Sequence, residues 1–158
     1  MIEGRKVSMS YPLAGGGVVR VIQDADFRIE TGAIRAVVGR SGTGKSTLLN
    51  LIGGLDRPTG GEILIDGRHL ESMSDAELSR FRNATVGFVF QSFFLRSMRT
   101  ALANVIVPLL FSDVSPAEAR RRGRKVLEEV GLGSLADTQV RRLSGGQRQR
   151  VAIARAII

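Results

Sequence analysis

Nine residues constrain this chain more than any others: Gly39-Arg40-Ser41-Gly42-Thr43-Gly44-Lys45-Ser46-Thr47. They fit the pattern G-x-x-x-x-G-K-[ST], in which glycines let the backbone curl until successive N–H groups point inward. Such a ring of donors suits phosphate oxygens, and a following helix adds the positive end of its dipole. In that pattern Lys45 reaches the β- and γ-phosphates and the Ser46 hydroxyl is placed for Mg²⁺. The pattern has this meaning only between a strand and a helix. Ala33 to Val38 precedes it, a short apolar run between glycines that suits a buried parallel strand. Lys45 to Ile52 follows, a helix stopped by Gly53-Gly54.

The remaining elements predict an α/β fold. Lys6 to Tyr11 and Val18 to Ile29 read as a hairpin-like pair of strands. Glu62 to Asp66 reads as a further strand, turned by Gly67, and Val86 to Phe90 as a second buried strand ending at Gln91. Ser74-Asp75-Ala76-Glu77 is a capping box that opens a helix running to about Phe81. Ser115-Pro116-Ala117-Glu118 opens another, with Pro at its first position and Gly131 at its stop. The chain turns helical from about Arg99, and a last helix starts at Gly145. His69 is the one histidine and reads as an exposed turn residue. With no cysteine, thiolate metal sites and disulfides are excluded.

The second informative stretch is Leu143-Ser144-Gly145-Gly146-Gln147-Arg148-Gln149-Arg150. Ser144 can cap a helix while the two glycines leave its first N–H groups bare, which makes a second anion site. With Tyr11, the phosphate loop and Gln91, this stretch carries a resemblance to the nucleotide-binding domain of ABC transporters. The resemblance covers nearly all 158 residues. The runs Gly53 to Thr59 and Phe81 to Gln91 narrow it to the lipoprotein-releasing, macrolide-efflux and cell-division type.

The resemblance implies a P-loop NTPase core with an antiparallel β subdomain and a helical subdomain. The β part and phosphate loop would occupy about 1–91, the helical subdomain about 92–142, and the signature with its helix 143–158. It implies ATP and Mg²⁺ as cofactors. Gly39, Ser41, Gly42, Thr43, Gly44, Lys45, Ser46 and Thr47 would hold ATP, Tyr11 would stack on adenine, and Ser46 and Gln91 would serve Mg²⁺. Lys45 and Gln91 would have catalytic roles. Ser144, Gly145, Gly146 and Gln147 would meet the ATP of a second copy in a head-to-tail homodimer. Arg99 to Val130 would form most of the helical subdomain that docks on transmembrane permease subunits, at the cytoplasmic face of the inner membrane. Ala33, Ser97 and Ala103 depart from the family pattern, which has Glu, Pro and Glu there, and all three lie away from phosphate.

Hydrolysis in that family uses an apolar run ending in Asp-Glu and a later switch histidine. No Asp-Glu dipeptide occurs in these residues. Ile63-Leu64-Ile65-Asp66 imitates half of it, but Gly67 follows, so it reads as a hairpin strand with a turn Asp. The expectation is a chain that ends before those groups, is inactive alone, and has an incomplete central sheet. The family would set two later strands between Ala33–Val38 and Val86–Phe90, leaving both with unpaired edges.

The net charge of +8 admits a rival. Residues 1–114 hold 13 basic and 11 acidic side chains, whereas 115–158 hold 10 and 4. A basic nucleic-acid-binding protein would use such a tail. Arg120-Arg121-Arg122 and Arg124-Lys125 instead read as the solvated face of a helix whose apolar stripe is Ala119, Val126, Leu127 and Val130. Few aromatics are interleaved for base stacking, so no nucleic acid is expected. The longest apolar stretch, Ala101 to Phe111, spans 11 residues and is too short to cross a bilayer. No secretory leader is evident, so the expectation is a cytoplasmic, soluble domain attached to a membrane through partners.

Overall fold

Alternating side chains and glycine turns build two hairpins, and these join into one sheet. The computed structural model describes residues 1–158 and forms two compact units, Met1–Arg82 and Asn83–Ile158. In the first unit, β1 (Ile2–Pro12) and β2 (Val18–Ile29) pair antiparallel around the turn at Gly15 to Gly17. Strands β3 (Gly60–Ile65) and β4 (Arg68–His69) form the second hairpin, reversed at Asp66 and Gly67, both at positive φ. The sheet order is β2-β1-β3-β4 and every pairing is antiparallel. Asp66 accepts from the Met1 amino group and its N–H donates to the Met1 carbonyl, so the hairpin turn also anchors the first residue.

Both faces of this sheet carry buried apolar side chains, since Leu64 points away from Ile63 and Ile65. Val7, Met9, Ile63, Leu64 and Ile65 are buried. Helices α1 (Lys45–Ile52) and α2 (Asp75–Thr85) add Leu51, Leu78 and Phe81. The capping box that opens α2 forms as the sequence predicts: the Glu77 N–H donates to the Ser74 hydroxyl, and the Ser74 N–H donates to the Glu77 carboxylate. The Ser74 hydroxyl, which donates to this carboxylate at 2.6 Å, and the Ser74 N–H hold the Glu77 carboxyl below its usual pKa.

The second unit is helical: α3 (Ala101–Val105), α4 (Pro116–Glu129) and α5 (Gly145–Ile157). Their apolar faces share one core of Leu102, Val105, Leu127, Val140, Leu143, Val151 and Ala154. Burying a leucine such as Leu127 contributes about 1.5–3 kcal/mol relative to leaving it exposed. Asn104 is buried among these residues. Its side chain accepts from the Arg96 N–H and donates to the Arg96 and Thr100 carbonyls, so all of its polar atoms are paired. Gly131, at φ +71, ends the last turn after α4 where the sequence placed the stop.

Three sequence expectations are corrected. Ala33 to Val38 and Val86 to Phe90 are not strands, and neither is paired to anything in the sheet. Ile34 is 95% and Val38 85% exposed, so the run expected to be buried faces solvent. A parallel strand satisfies its N–H and C=O groups only through neighbours, and no neighbour for either run lies within 1–158. His69 is not in the turn but in β4, with Nδ1 2.9 Å from the Glu62 carboxylate. By compactness Gln91 and the run before it fall in the second unit.

The basic face of α4 is largely paired within the chain. Glu118 accepts from Arg121 at 2.7 Å and Arg122 at 2.8 Å, and Arg124 meets Asp137 at 3.0 Å. The hydrogen bonds from Arg121 and Arg122 depress the Glu118 pKa from 4.5 to about 2. Such a shift favours folding in full above the unfolded value of 4.5 and is lost as pH falls through about 2. A carbon-detected NMR titration of the Glu118 carboxyl is expected to show its midpoint near 2. Replacing Arg121 and Arg122 together by Ala is expected to return it to the ordinary carboxylate range.

Candidate functional site

Helix α1 begins differently from the other α-helices. Ser74, Thr100, Ser115 and Ser144 each accept from a first-turn N–H and so cap α2, α3, α4 and α5. Gly44 precedes α1 without any side-chain cap, and no acidic residue stands in the first turn. The first backbone bond of the helix runs from the Leu48 N–H to the Gly44 carbonyl, so the N–H groups of Lys45, Ser46 and Thr47 have no helical acceptor. Gly44 is required on two counts. Its φ is +86, and a Cβ there would lie 2.9 Å from the Val21 side chain and 3.1 Å from the Val21 carbonyl.

The loop closes on its own carbonyl. Lys45 Nζ donates to the Arg40 carbonyl at 2.6 Å, and the Thr43 hydroxyl donates to the same oxygen at 2.9 Å. The ammonium is thereby folded back over the loop whose N–H groups are bare. An open depression of about 390 Å³ adjoins it, lined by Val21, Ile22, Val37, Val38, Gly39, Thr43, Gly44, Lys45 and Leu48. Positive charge, free donors and an apolar wall meet in one place. The Ser46 hydroxyl is exposed.

Strand β2 links this loop to Tyr11. Val19 pairs directly with Tyr11, and Val21, two residues on, touches Gly44. Two residues of strand span about 7 Å. Tyr11 is 38% exposed, on β1 beside the strand that buttresses the loop.

The helical unit holds the other predicted residues. Ser144 and Gln147 form a reciprocal capping box at the start of α5: the Gln147 N–H donates to the Ser144 hydroxyl at 3.2 Å, and the Ser144 N–H donates to Gln147 Oε1 at 2.8 Å. Gln147 therefore spends its amide oxygen on the cap. The Ser144 hydroxyl accepts in this cap, so its proton is free to donate outward, beside the exposed Gly145 and Gly146. Gln91 is exposed at the head of a tight turn in which Phe93 and Phe94 have φ of +57 and +46. Sequence reasoning missed Asn104 and Arg155 as organising residues. The polar Asn104 inside an apolar run was a signal for the first; a lone arginine in a helix gave none for the second.

Comparison with known proteins gives the family and the fold. The family model described as ABC transporter matches residues 22–158. A macrolide export ATP-binding/permease protein of Paracoccus denitrificans is 47% identical over all of this chain and 24% of its own length. A lipoprotein-releasing system ATP-binding protein of Syntrophotalea carbinolica is 45% identical, over all of this chain and 69% of its own length. Among solved structures, a dimeric ATP-binding cassette in a post-hydrolysis state, bound to ADP and Pi, superposes with TM-score 0.89 at 39% identity. It matches 99% of this chain, which spans 69% of that one. The chain thus spans between about a quarter and seven tenths of these relatives.

The capping box has a measurable weight. Ser144→Ala is expected to lower stability by about 1 kcal/mol, while Ser144→Asp keeps a capping oxygen and costs less than half of that. Urea unfolding followed by far-UV circular dichroism reads both.

Proposed function

Because the chain belongs to the ABC transporter family, we propose that it is the ATP-binding part of a transporter, driving movement of a substrate through membrane-embedded partners. One observation carries this reading: α1 opens on a left-handed glycine with its first N–H groups uncapped and Lys45 folded over them. An anion with several oxygens, such as a triphosphate, fits that arrangement and a neutral ligand does not.

In this reading the backbone from Gly39 to Thr47 cradles the phosphates. Lys45 exchanges the Arg40 carbonyl for β- and γ-phosphate oxygens. Mg²⁺ holds few protein ligands and keeps waters and phosphate oxygens instead. The exposed Ser46 hydroxyl fits as its one direct protein oxygen from the loop, with Gln91 as the second. Mg²⁺ would supply charge neutralisation between the phosphates. Tyr11 offers its ring to adenine. Ser144, Gly145 and Gly146 serve the ATP of a second copy, a role supported by the dimeric cassettes among the similar structures. Gln147 acts there through the cap it shares with Ser144.

The partners are proposed as permease subunits or domains, since the relatives' names pair ATP-binding with permease or releasing systems. No helix is long and apolar enough to cross a membrane. We propose attachment at the cytoplasmic face through those partners. The 158 residues contain no Asp-Glu pair. We therefore propose that this chain, as it stands, binds ATP and does not cleave it.

Calorimetric titration with Mg·ATP tests the reading. The chain is expected to bind, and Lys45→Ala to weaken binding by about 10- to 100-fold, the scale of one or two charge-assisted hydrogen bonds. Phosphate release is expected to stay at background. Unchanged affinity in Lys45→Ala would remove the phosphate loop from the function. Turnover above background would show that the missing Asp-Glu pair is dispensable.

A further inference from the structure

The turn after Gln91 is held by a residue far along the chain. Arg155, in the last turn of α5, donates to the Phe93 carbonyl at 2.7 Å and to the Phe94 carbonyl at 2.9 Å. It makes no ion pair with any carboxylate, although it is partly buried. Burial pushes its pKa down, as expected for a cation facing only carbonyl dipoles. Such an uncompensated guanidinium is costly unless its hydrogen bonds matter to the fold or to a site.

The two carbonyls it binds belong to the two strained residues. Phe93 and Phe94 are consecutive aromatic residues in the left-handed region. For bulky side chains this conformation is strained and persists only where the surroundings enforce it. The ring of Phe94 also meets Phe90 edge-on, with centroids 5.2 Å apart. On the other side of Gln91, a Cβ on Gly87 would lie 2.0 Å from the Ala156 carbonyl, so the backbone before Gln91 runs directly against the backbone of α5. Residues 155 and 156 thus grip the chain both before and after Gln91.

We infer that Arg155 is a positioning residue for Gln91: its guanidinium fixes the left-handed turn at Phe93 and Phe94, so that Gln91 follows α5. The other end of this helix is Ser144, about 16 Å away at 1.5 Å per residue. That Gln91 then acts on nucleotide rests on the function proposed above; the grip itself does not.

Hydrogen exchange of the nucleotide-free chain tests the grip. Arg155→Ala is expected to speed exchange of the amides at 92–95 by about tenfold or more, the equivalent of losing one hydrogen bond to a charged group. Arg155→Lys, with one ammonium in place of a planar fork, is expected to fall between Ala and the parent. Amides of α3 and α4 are expected to keep their parent rates. No acceleration at 92–95, or an equal acceleration throughout the helical unit, would overturn the inference, because the second is the signature of a merely structural arginine. Mg·ATP titration of Gln91→Ala and Arg155→Ala separates the two readings. Similar weakening in both supports positioning. Local acceleration with Gln91→Ala binding as the parent does would sustain the grip and remove Gln91 from the nucleotide site.

Discussion

The nucleotide reading of this chain depends on three backbone N–H groups left without a partner at the start of α1. Each of the four other α-helices has one of its first-turn N–H groups taken by a Ser or Thr hydroxyl, and α1 has none. At α1 the cap position is a glycine in the left-handed region, pressed so closely on Val21 that no side chain fits. Forgoing a cap costs about 1 kcal/mol. Burial of Leu51 on the same helix is of a size to offset it. Lys45 adds positive charge to the same spot and for the moment spends it on the Arg40 carbonyl. A polyanion would relieve the bare donors and the folded-back ammonium together.

Local signals were the legible part of this sequence. Ser74-Asp75-Ala76-Glu77, Ser115-Pro116 and Ser144-Gly145-Gly146-Gln147 each opened a helix where its residues said it should, because a cap is made by atoms within three residues of one another. Hairpins between neighbouring strands were legible for the same reason. The runs Ala33 to Val38 and Val86 to Phe90 were not. Their apolar composition describes what a strand needs on its faces but not which strands flank it, and a ladder has no existence without those neighbours. The grip of Arg155 on Phe93 and Phe94 was invisible for a related reason. It joins residues 62 positions apart through carbonyls that carry no side-chain signature.

The charge excess looks different once the side chains are in place. Three arginines of α4 are engaged by Glu118 and Asp137, so the cluster that invited a nucleic-acid reading is partly neutralised within the chain. Two of the remaining cations hold fixed backbone positions. Lys45 stands at the phosphate loop, and Arg155 is turned inward to the backbone beside Gln91. Net charge alone describes solubility and non-specific attraction, whereas recognition of a triphosphate needs donors at fixed positions.

Amide chemical shifts during titration with ATP test the uncapped helix start most directly. The nitrogen and proton resonances of Gly42, Gly44, Lys45, Ser46 and Thr47 are expected to move together and saturate, while those along Arg120 to Arg124 stay in place. If the α1 amides hold their shifts at saturating ATP, or the α4 arginines move instead, the bare N–H groups are not the binding site.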